Sequence, residues 1–169
     1  MIISLEKYIS LYGTKDLLLL ERKTWERFKS IYDNSFWTKK EFLHDLKDKF
    51  SLSKVILYNN KLVGFSIMYT FKENYAHISR VAIEIEIQNK GFGKKLLLNQ
   101  IKELTELKYD FLSIDLIALN TTAKKVYSKI GFRELIGQEL SDYVKLKNRS
   151  ENEYLGKQPS HIALIKKIH

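Results

Sequence analysis

Three apolar stretches lie close together in the middle of the chain, at residues 54–58, 62–71 and 75–83. They are rich in β-branched and aromatic residues, which favours β-strands. Two short polar joints that contain Asn, residues 59–61 and 72–74, separate them. Such joints are typical of tight hairpins, so we expect the three strands to be antiparallel neighbours.

Beyond these strands the apolar pattern becomes helical. Within residues 96–107, Leu97, Ile101 and Leu104 recur on one stripe, which predicts a helix that packs on the sheet. Residues 111–119 form the next apolar stretch. Because a helix separates this strand from the preceding one, we expect the two to be parallel and joined by a right-handed crossover.

The N-terminal part carries weaker patterns. Residues 17–20 are a short apolar run bounded by charges, which favours a first strand. We expect one helix after Thr24 and a second after the capping-box sequence that runs from Thr38 to Glu41. The inward residues of these two helices are Trp25, Phe28, Ile31 and Tyr32 in the first and Phe42, Leu46 and Phe50 in the second.

The last third of the chain is less regular. Residues 132–136 and 162–166 predict the final two strands, with a long polar connection over residues 145–160 between them. Together, the predicted elements form an α+β fold. It has a mixed sheet of six or seven strands, mostly antiparallel with one parallel pair, and about four flanking helices.

Composition narrows the class of protein. The chain has 169 residues, of which 44% are hydrophobic, and this length suits a single domain over residues 1–169. No apolar run approaches the ~20 residues of a membrane helix, and the first residues lack a signal-peptide pattern, so we expect a cytoplasmic protein. The absence of Cys and the scatter of the four His argue against disulfides, a Cys nucleophile and a metal site.

The formal net charge is +9 at pH 7. A solvated, lysine-rich surface would account for it, and so would a field that attracts an anionic ligand. The basic residues are spread along the chain and are not interleaved with aromatics in a nucleic-acid motif, which disfavours nucleic acid as a partner.

A candidate ligand-binding stretch follows the third central strand. It consists of Gln88, Asn89, Lys90, Gly91, Phe92, Gly93 and Lys94, so a strand runs into a helix through a glycine loop. Glycines let a ligand approach the backbone, and the free N–H groups at a helix start bind anions. We therefore expect a phosphate or diphosphate ligand. The triphosphatase loop and the dinucleotide loop are both excluded, because Lys95 follows Lys94 and a third small residue is missing at Leu96.

A second motif lies downstream. Asn120 closes a strand, a short helix carries Ala123 and Tyr127, and Gly131 and Phe132 follow. The Q-x-x-G-x-G loop and this motif, in this order and spacing, resemble the two signatures of the Gcn5-related N-acetyltransferase (GNAT) superfamily. The resemblance covers roughly residues 54–137. It implies a GNAT-like fold, an N-acetyltransferase activity and acetyl-CoA (coenzyme A) as cofactor.

The resemblance also assigns residues to the cofactor. The glycine loop would wrap the diphosphate, and the backbone of one strand would pair with the cofactor where two parallel strands part. The residues so assigned are Val81, Ala82, Ile83, Gln88, Asn89, Lys90, Gly91, Phe92, Gly93, Lys94, Asn120 and Tyr127. Tyr127 is also the expected general acid for the leaving thiolate, because it follows Asn120 by the superfamily's spacing and lies on the apolar face of its helix.

Three side chains compete for the role of general base. Asp115 ranks first, since the subgroup that acetylates ribosomal-protein N-termini carries a carboxylate there, and a carboxylate in an apolar strand is costly unless it is paired or used. His77 ranks second, at the strand position of a catalytic Glu in histone-type relatives. Glu84 ranks third, at the end of the strand. Each also has a purely structural interpretation.

The acceptor stays open at this point. The subgroup likeness favours a protein N-terminus. A small amine such as a polyamine, an amino sugar or an aminoglycoside is the alternative among enzymes. A non-catalytic module that binds coenzyme A or nucleic acid is the alternative of a different class. A homodimer is common in the superfamily, although no feature of the sequence requires one.

Overall fold

The structure is a computed structural model that describes residues 1–27, 29, 36–157 and 159–169. Three residues assigned to the first predicted helix, Phe28, Ile31 and Tyr32, lie outside the described residues. Within those ranges, no helix is long and apolar enough to cross a membrane.

In the described part of the chain, seven strands form one mixed sheet. They are β1 (Ile2–Ser4), β2 (Lys54–Tyr58), β3 (Lys61–Lys72), β4 (Tyr75–Ile83), β5 (Phe111–Ile117), β6 (Arg133–Glu134) and β7 (His161–Lys167). Their order across the sheet is β1-β2-β3-β4-β5-β7-β6, and β4 and β5 are the parallel pair. The predictions of a mixed sheet, of three antiparallel central strands and of one parallel pair are confirmed.

Eight α-helices lie within the described ranges. They are α1 (Leu5–Tyr12), α2 (Lys15–Glu26), α3 (Lys39–Leu43), α4 (Lys49–Leu52), α5 (Phe92–Glu106), α6 (Thr121–Lys129), α7 (Gly137–Leu146) and α8 (Glu151–Leu155). A 3-10 helix at Ile85–Ile87 precedes α5. The helices α3, α4 and α8 have only four or five residues, too few to give a periodic signal in the sequence.

The prediction of a strand at residues 17–20 is wrong, because these residues belong to α2. Leu17 and Leu20 are buried whereas Leu19 is exposed, which is the spacing of a helix face. In the next turn, the fully buried Glu21 forms an ion pair with Arg80 on β4. A run of four leucines has no periodicity of its own, so the packing partners of the run determined its structure.

The two helix starts predicted next have different outcomes. Thr24 lies inside α2, where its hydroxyl donates to the carbonyl of Leu20 at 2.9 Å, so the prediction that it begins a helix is wrong. The capping box at Thr38 is confirmed, since its N–H donates to Glu41 at 2.7 Å and its side chain accepts from Lys40 N–H at 3.2 Å. The helix that it opens is short and is followed by a separate α4.

Lys49 joins α3 to α4. Its side chain is buried, and Nζ donates to the carbonyl oxygens of Glu41 at 2.7 Å, Phe42 at 2.9 Å and His44 at 2.7 Å. Carbonyls at the C-terminal end of a helix have no partner within the helix, so a buried ammonium group satisfies three of them at once.

Apolar cores lie on both faces of the sheet. On one face, α5 and α6 pack on β4 and β5 in a core that includes Met68 and Tyr127. On the other face, α1, α2 and α3 pack on β2 and β3 in a core that includes Ile67. Successive strand residues such as Ile67 and Met68 enter different cores because they point to opposite faces.

The C-terminal third is more ordered than the sequence indicates. Of the strand predicted at residues 132–136, only Arg133 and Glu134 pair, with β7. The predicted polar connection over residues 145–160 contains the end of α7 and the whole of α8. Both helices cover the sheet through a small core that includes Tyr143, Val144 and Tyr154.

Candidate active site

The parallel strands β4 and β5 part halfway along β4. Their pairing ends at Ile78 and Ile114, although β4 continues to Ile83. Among the described residues, no strand therefore pairs with β4 on this side from Ser79 onward. The N–H and C=O groups of such an edge can accept an extended ligand as an additional strand.

A β-bulge marks the point of parting. On β3, Ile67 pairs with Arg80 and its neighbour Met68 pairs with Ile78, which leaves Ser79 as an extra residue on β4. A bulge bends its strand and increases the local twist. The bend coincides with the point at which β4 and β5 separate, and a separation of two parallel strands is what the family resemblance implies.

The backbone of Val81, Ala82 and Ile83 lies along this gap, as predicted. Their side chains are packing residues: Val81 enters the core beneath α5 and α6, Ile83 packs near the start of α5, and Ala82 is buried on the opposite face. These three residues can therefore pack in the cores and also bind a cofactor, because packing uses their side chains whereas the gap exposes their main chain.

The glycine loop leads from the end of β4 into α5. Gly91 is the N-cap with a φ of 84°, a conformation that favours glycine, and no side chain caps this helix. In the described part of the chain, the N–H groups of Phe92, Gly93 and Lys94 have no backbone acceptor. Unpaired N–H groups and the helix macrodipole make this end an anion-binding site.

Gln88 fixes the shape of the loop. Its Nε2 donates to the carbonyl of Ile83 at 3.0 Å, and its Oε1 accepts from Arg27 Nη1 at 2.9 Å. Both ends of the side chain are therefore used within the protein. Asn89 follows with a φ of 63°, which Asn tolerates better than most residues, and Lys90 is exposed.

Tyr127 lies on α6 in the same core as Val81 and is 4% exposed. Its ring packs edge-on against Phe132 with 5.2 Å between the ring centroids. Its hydroxyl makes no hydrogen bond with any described residue. Burial raises the pKa of Tyr127 well above its ordinary value of 10, so the phenol keeps its proton at neutral pH.

Asn120 has a structural function at the start of α6. Its Oδ1 accepts a hydrogen bond from the N–H of Ala123 at 3.1 Å, which is the geometry of an N-cap. The cap fixes the first turn of the helix that carries Tyr127. Asn120 therefore positions Tyr127 through the helix, whatever further contact it makes with a ligand.

Asp115 lies on β5, one residue beyond the last position that pairs with β4. Its Oδ1 accepts a hydrogen bond from the hydroxyl of Tyr143 at 2.6 Å. Its Oδ2 is buried without a hydrogen bond, 3.6 Å from Arg149 Nη2 and 3.9 Å from His77 Nε2. A carboxylate oxygen with no donor, at the point where the strands part, is a candidate proton acceptor.

His77 is 2% exposed, and its Nδ1 lies 2.9 Å from Ser113 Oγ. Burial, reinforced by the charges of Lys147 and Arg149, lowers its pKa well below 6.5. The imidazole is therefore neutral at physiological pH. Because its Nε2 faces Asp115, the first two candidate bases form a single cluster.

Glu84 is not part of that cluster. It forms an ion pair with Lys23 on α2 at 2.6 Å, and its Oε1 accepts from the N–H of Ile85 at 2.9 Å. It lines a cavity of about 330 Å³ that also includes Tyr8 and Tyr12. The structure thus directs Glu84 towards α1 and α2.

Arg149 lies 3.6 Å from Asp115, and the charge of Asp115 also acts on Lys147 and Tyr69. The sequence did not indicate any of these three residues. Lys147 Nζ donates to the hydroxyl of Tyr69 at 3.2 Å. They come from β3 and from the region after α7, so no local motif connects them with β5. Tyr143 reaches the same carboxylate from α7, through its hydrogen bond to Oδ1.

The basic residues near the two motifs differ in their surroundings. Lys124 forms an ion pair with Glu134 at 2.5 Å, whereas Lys94 at the loop is exposed. Over the described ranges, no group of three or more His, Asp or Glu side chains could hold a metal ion.

Known proteins share sequence similarity with this chain. The family model described as "Acetyltransferase (GNAT) family" matches residues 15–132. The chain is 27% identical over 99 residues to the [ribosomal protein bS18]-alanine N-acetyltransferase of Haemophilus ducreyi, a match of 59% of this chain and 67% of that protein. The corresponding protein of Escherichia coli K12 is 26% identical over 98 residues, or 58% and 65% of the two chains. The matches thus span about two thirds of these curated relatives.

Solved structures share the fold over nearly the full length. The crystal structure of the ribosomal-protein-S18-alanine N-acetyltransferase from Escherichia coli superposes with a TM-score of 0.73 and 20% identity, covering 99% of this chain and 93% of that one. The PaiA N-acetyltransferase from Thermoplasma acidophilum, crystallised with coenzyme A, has a TM-score of 0.67 and 17% identity, covering 99% and 98%.

Proposed function

Since the chain belongs to the acetyltransferase (GNAT) family, we propose that it transfers the acetyl group of acetyl-CoA to the primary amine of a protein N-terminus. The observation that carries this proposal is the gap between β4 and β5. It lies between the anion-binding start of α5, the protonated phenol of Tyr127 and the carboxylate of Asp115. Acetyl-CoA, when bound, supplies the thioester whose acetyl group is transferred.

The glycine loop fits the diphosphate of the cofactor. The N–H groups of Phe92, Gly93 and Lys94 have no backbone acceptor among the described residues, so they are available to a phosphate. Hydrogen bonds from N–H groups to a charged acceptor each contribute ~1.5–3 kcal/mol. The exposed Lys94 adds a positive charge beside the loop.

The unpaired edge of β4 fits the chain of the cofactor that carries the thioester. Main-chain groups from Ser79 to Ile83 lie along the gap, so they can hold this chain as a strand would be held. An N–H group fixed at this edge can also stabilise negative charge on the carbonyl oxygen during the reaction.

Tyr127 and Asp115 belong to opposite faces of the sheet. Tyr127 is in the core beneath α5 and α6, whereas Asp115 faces α7. The two can act on one reacting centre only where the sheet is open, which is the gap. We infer that the cofactor is bound on the α5 and α6 side and that the amine approaches from the α7 side.

Tyr127 serves as the proton donor in this arrangement. Its raised pKa keeps the hydroxyl protonated, and no described residue competes for that proton. A donor positioned at the leaving sulfur stabilises the developing thiolate by a hydrogen bond and then by proton transfer. The nucleophile is the substrate amine itself, so the reaction requires no Cys.

Asp115 serves as the proton acceptor for the amine. The hydrogen bond from Tyr143 fixes Oδ1, which leaves Oδ2 for the incoming ammonium group. His77, whose Nε2 lies 3.9 Å from Oδ2, is neutral and adds no positive charge that would compete with the incoming ammonium group. Removal of a proton by a positioned base contributes typically 10²–10⁴-fold to such reactions.

The acceptor is tested by a competition assay. The protein and acetyl-CoA are incubated with a peptide that begins with Ala, the same peptide with a blocked N-terminus, polyamines, an amino sugar and an aminoglycoside, and mass spectrometry identifies the products. The expected product is the unblocked peptide with one acetyl group at its N-terminus. If only the small amines are acetylated, the protein N-terminus is excluded as the acceptor.

A small cationic amine is the second candidate. The observation in its favour is the cover over Asp115, where α7 and α8 place Tyr143, Tyr154 and the side chain of Lys147. A compact acceptor fits under this cover more readily than a peptide. The same assay separates the two candidates, because each product has a different mass.

A further inference from the structure

Lys147 places a primary amine in an aromatic pocket on the acceptor side of the sheet. It follows the last residue of α7, and Nζ donates to the hydroxyl of Tyr69 at 3.2 Å. Nζ also lies 4.7 Å from the ring centroid of Phe71 and 5.9 Å from that of Tyr143. Aromatic faces arranged in this way bind cations, so the pocket has the chemistry of an amine-binding site.

The pocket is adjacent to the proposed catalytic carboxylate. Tyr143, which forms one wall, donates its hydroxyl to Asp115 at 2.6 Å. Tyr69, which forms another wall, pairs with His77 across β3 and β4. Lys147 therefore lies over the last paired positions of β4 and β5, next to the gap where the acceptor amine is expected.

The surroundings also favour the nucleophilic form of this amine. Burial, together with Arg149 and against the opposing effect of Asp115, lowers the pKa of Lys147 to about 7. The other titratable groups around it are Tyr69 on β3, His77 on β4 and Tyr143 on α7. A substantial share of the Lys147 amines is then neutral at pH 7, against roughly one in 2,500 for a lysine of ordinary pKa.

We propose that Lys147 is an internal acetyl acceptor, which the enzyme modifies on its own chain when no external amine occupies the pocket. This inference rests on the proposed function, because it uses the same gap, the same cofactor and the same proton acceptor. It adds a modification site, and it assigns the pocket of Tyr69, Phe71 and Tyr143 to the acceptor amine.

The reaction is balanced without any further reagent. The lone pair of neutral Nζ attacks the thioester carbonyl carbon, a C–N bond forms, and the C–S bond breaks with its electron pair on sulfur. Asp115 accepts the proton that the nitrogen loses, and Tyr127 supplies a proton to the sulfur. The products are N-acetyl-lysine at 147 and free coenzyme A.

The test compares Lys147 with Lys145. Lys145 is an exposed lysine in the last turn of α7, two residues before Lys147, and reports the chemical background. The protein is incubated with acetyl-CoA at pH 7, and acetylation at each lysine is followed by peptide mapping. We expect acetylation of Lys147 at least about tenfold faster than that of Lys145, at a rate per molecule that does not depend on protein concentration. Asp115→Asn should slow the reaction at Lys147 and leave Lys145 unaffected.

A second measurement uses no cofactor. Competitive labelling of the folded protein with acetic anhydride at pH 7 reports the reactivity of each amine, and Lys147 should be labelled faster than Lys145. Slower labelling of Lys147 would mean a charged or inaccessible amine, and the inference would fail.

The outcomes separate this inference from the proposed function. Acetylation of the peptide substrate with no acetylation at Lys147 would overturn the inference and leave the proposed function intact. Equal acetylation of Lys147 and Lys145 would also overturn it, since it would show chemical modification only. If neither the peptide nor Lys147 is acetylated, the proposed function fails together with the inference.

Discussion

Replacement of Gly93 by Val tests the cofactor site with little expected effect on the fold. A Cβ at this position would lie 3.5 Å from Ile83 Cγ1 and 3.9 Å from Ile83 Cδ1, which are ordinary van der Waals distances. Gly93 lies in the first turn of α5, where Val has a helix propensity a few tenths of a kcal/mol better than Gly. The folded protein should therefore tolerate the change.

If the diphosphate lies over the first turn of α5, as we propose, the γ-methyl groups of the new valine should crowd it away from the free N–H groups there. If the diphosphate loses two of these hydrogen bonds, each worth ~1.5–3 kcal/mol with a charged acceptor, binding weakens by about 3–6 kcal/mol. That loss corresponds to a roughly 100-fold to 10,000-fold increase in Kd, since ~1.4 kcal/mol is tenfold. Isothermal titration calorimetry with acetyl-CoA measures the change directly.

Asn99→Val is the matched control, because Asn99 is an exposed, uncharged residue on the same helix. It should bind acetyl-CoA with the affinity of the wild type. A thermal melt of Gly93→Val shows whether the variant is folded. A folded Gly93→Val whose Kd stays within about threefold of the wild-type value would refute the assignment of the loop to the diphosphate.

Three other changes give measurable outcomes. Tyr127→Phe should lower kcat about 100-fold while calorimetric affinity for acetyl-CoA changes less than about twofold, and an unchanged kcat would exclude Tyr127 as the proton donor. Lys49→Met should lower the free energy of unfolding in urea by about 2–4 kcal/mol, because three carbonyls lose their donor; a loss below ~1 kcal/mol would contradict this account. The pKa of Lys147 is about 7 in the folded protein and higher in the unfolded protein, so the unfolded state binds more protons between pH 7 and 9. The free energy of unfolding of the wild type should therefore rise with pH over this range, relative to that of Lys147→Met.

The central sheet was predictable because its information is local. The strands at residues 54–58 and 75–83 have the predicted bounds, and the strand between them differs by one residue at each end. Each hairpin depends on a short polar joint and on the apolar residues beside it. By contrast, residues 17–20 formed a helix because buried Leu17 and Leu20 and the pair between Glu21 and Arg80 favour that packing.

The cofactor loop and the surroundings of Asp115 also differ in how far the sequence predicts them. The glycine loop is contiguous, so its sequence determines the positive φ of Gly91 and the free N–H groups that follow it. The sequence likewise pointed to the family through two motifs, and the family match confirms it. The individual roles of the site residues stay predictions that the experiments above address.

The sequence alone determined the central strands, the cofactor loop and the family, because each depends on residues that are neighbours along the chain. Only the tertiary structure decided what surrounds the reacting centre. The bulge at Ser79 opens the gap, and α7 brings Tyr143 and Lys147 to Asp115 from about 30 positions away in the chain. Such contacts leave no periodic pattern, since they depend on how the sheet bends and on which helices cover it.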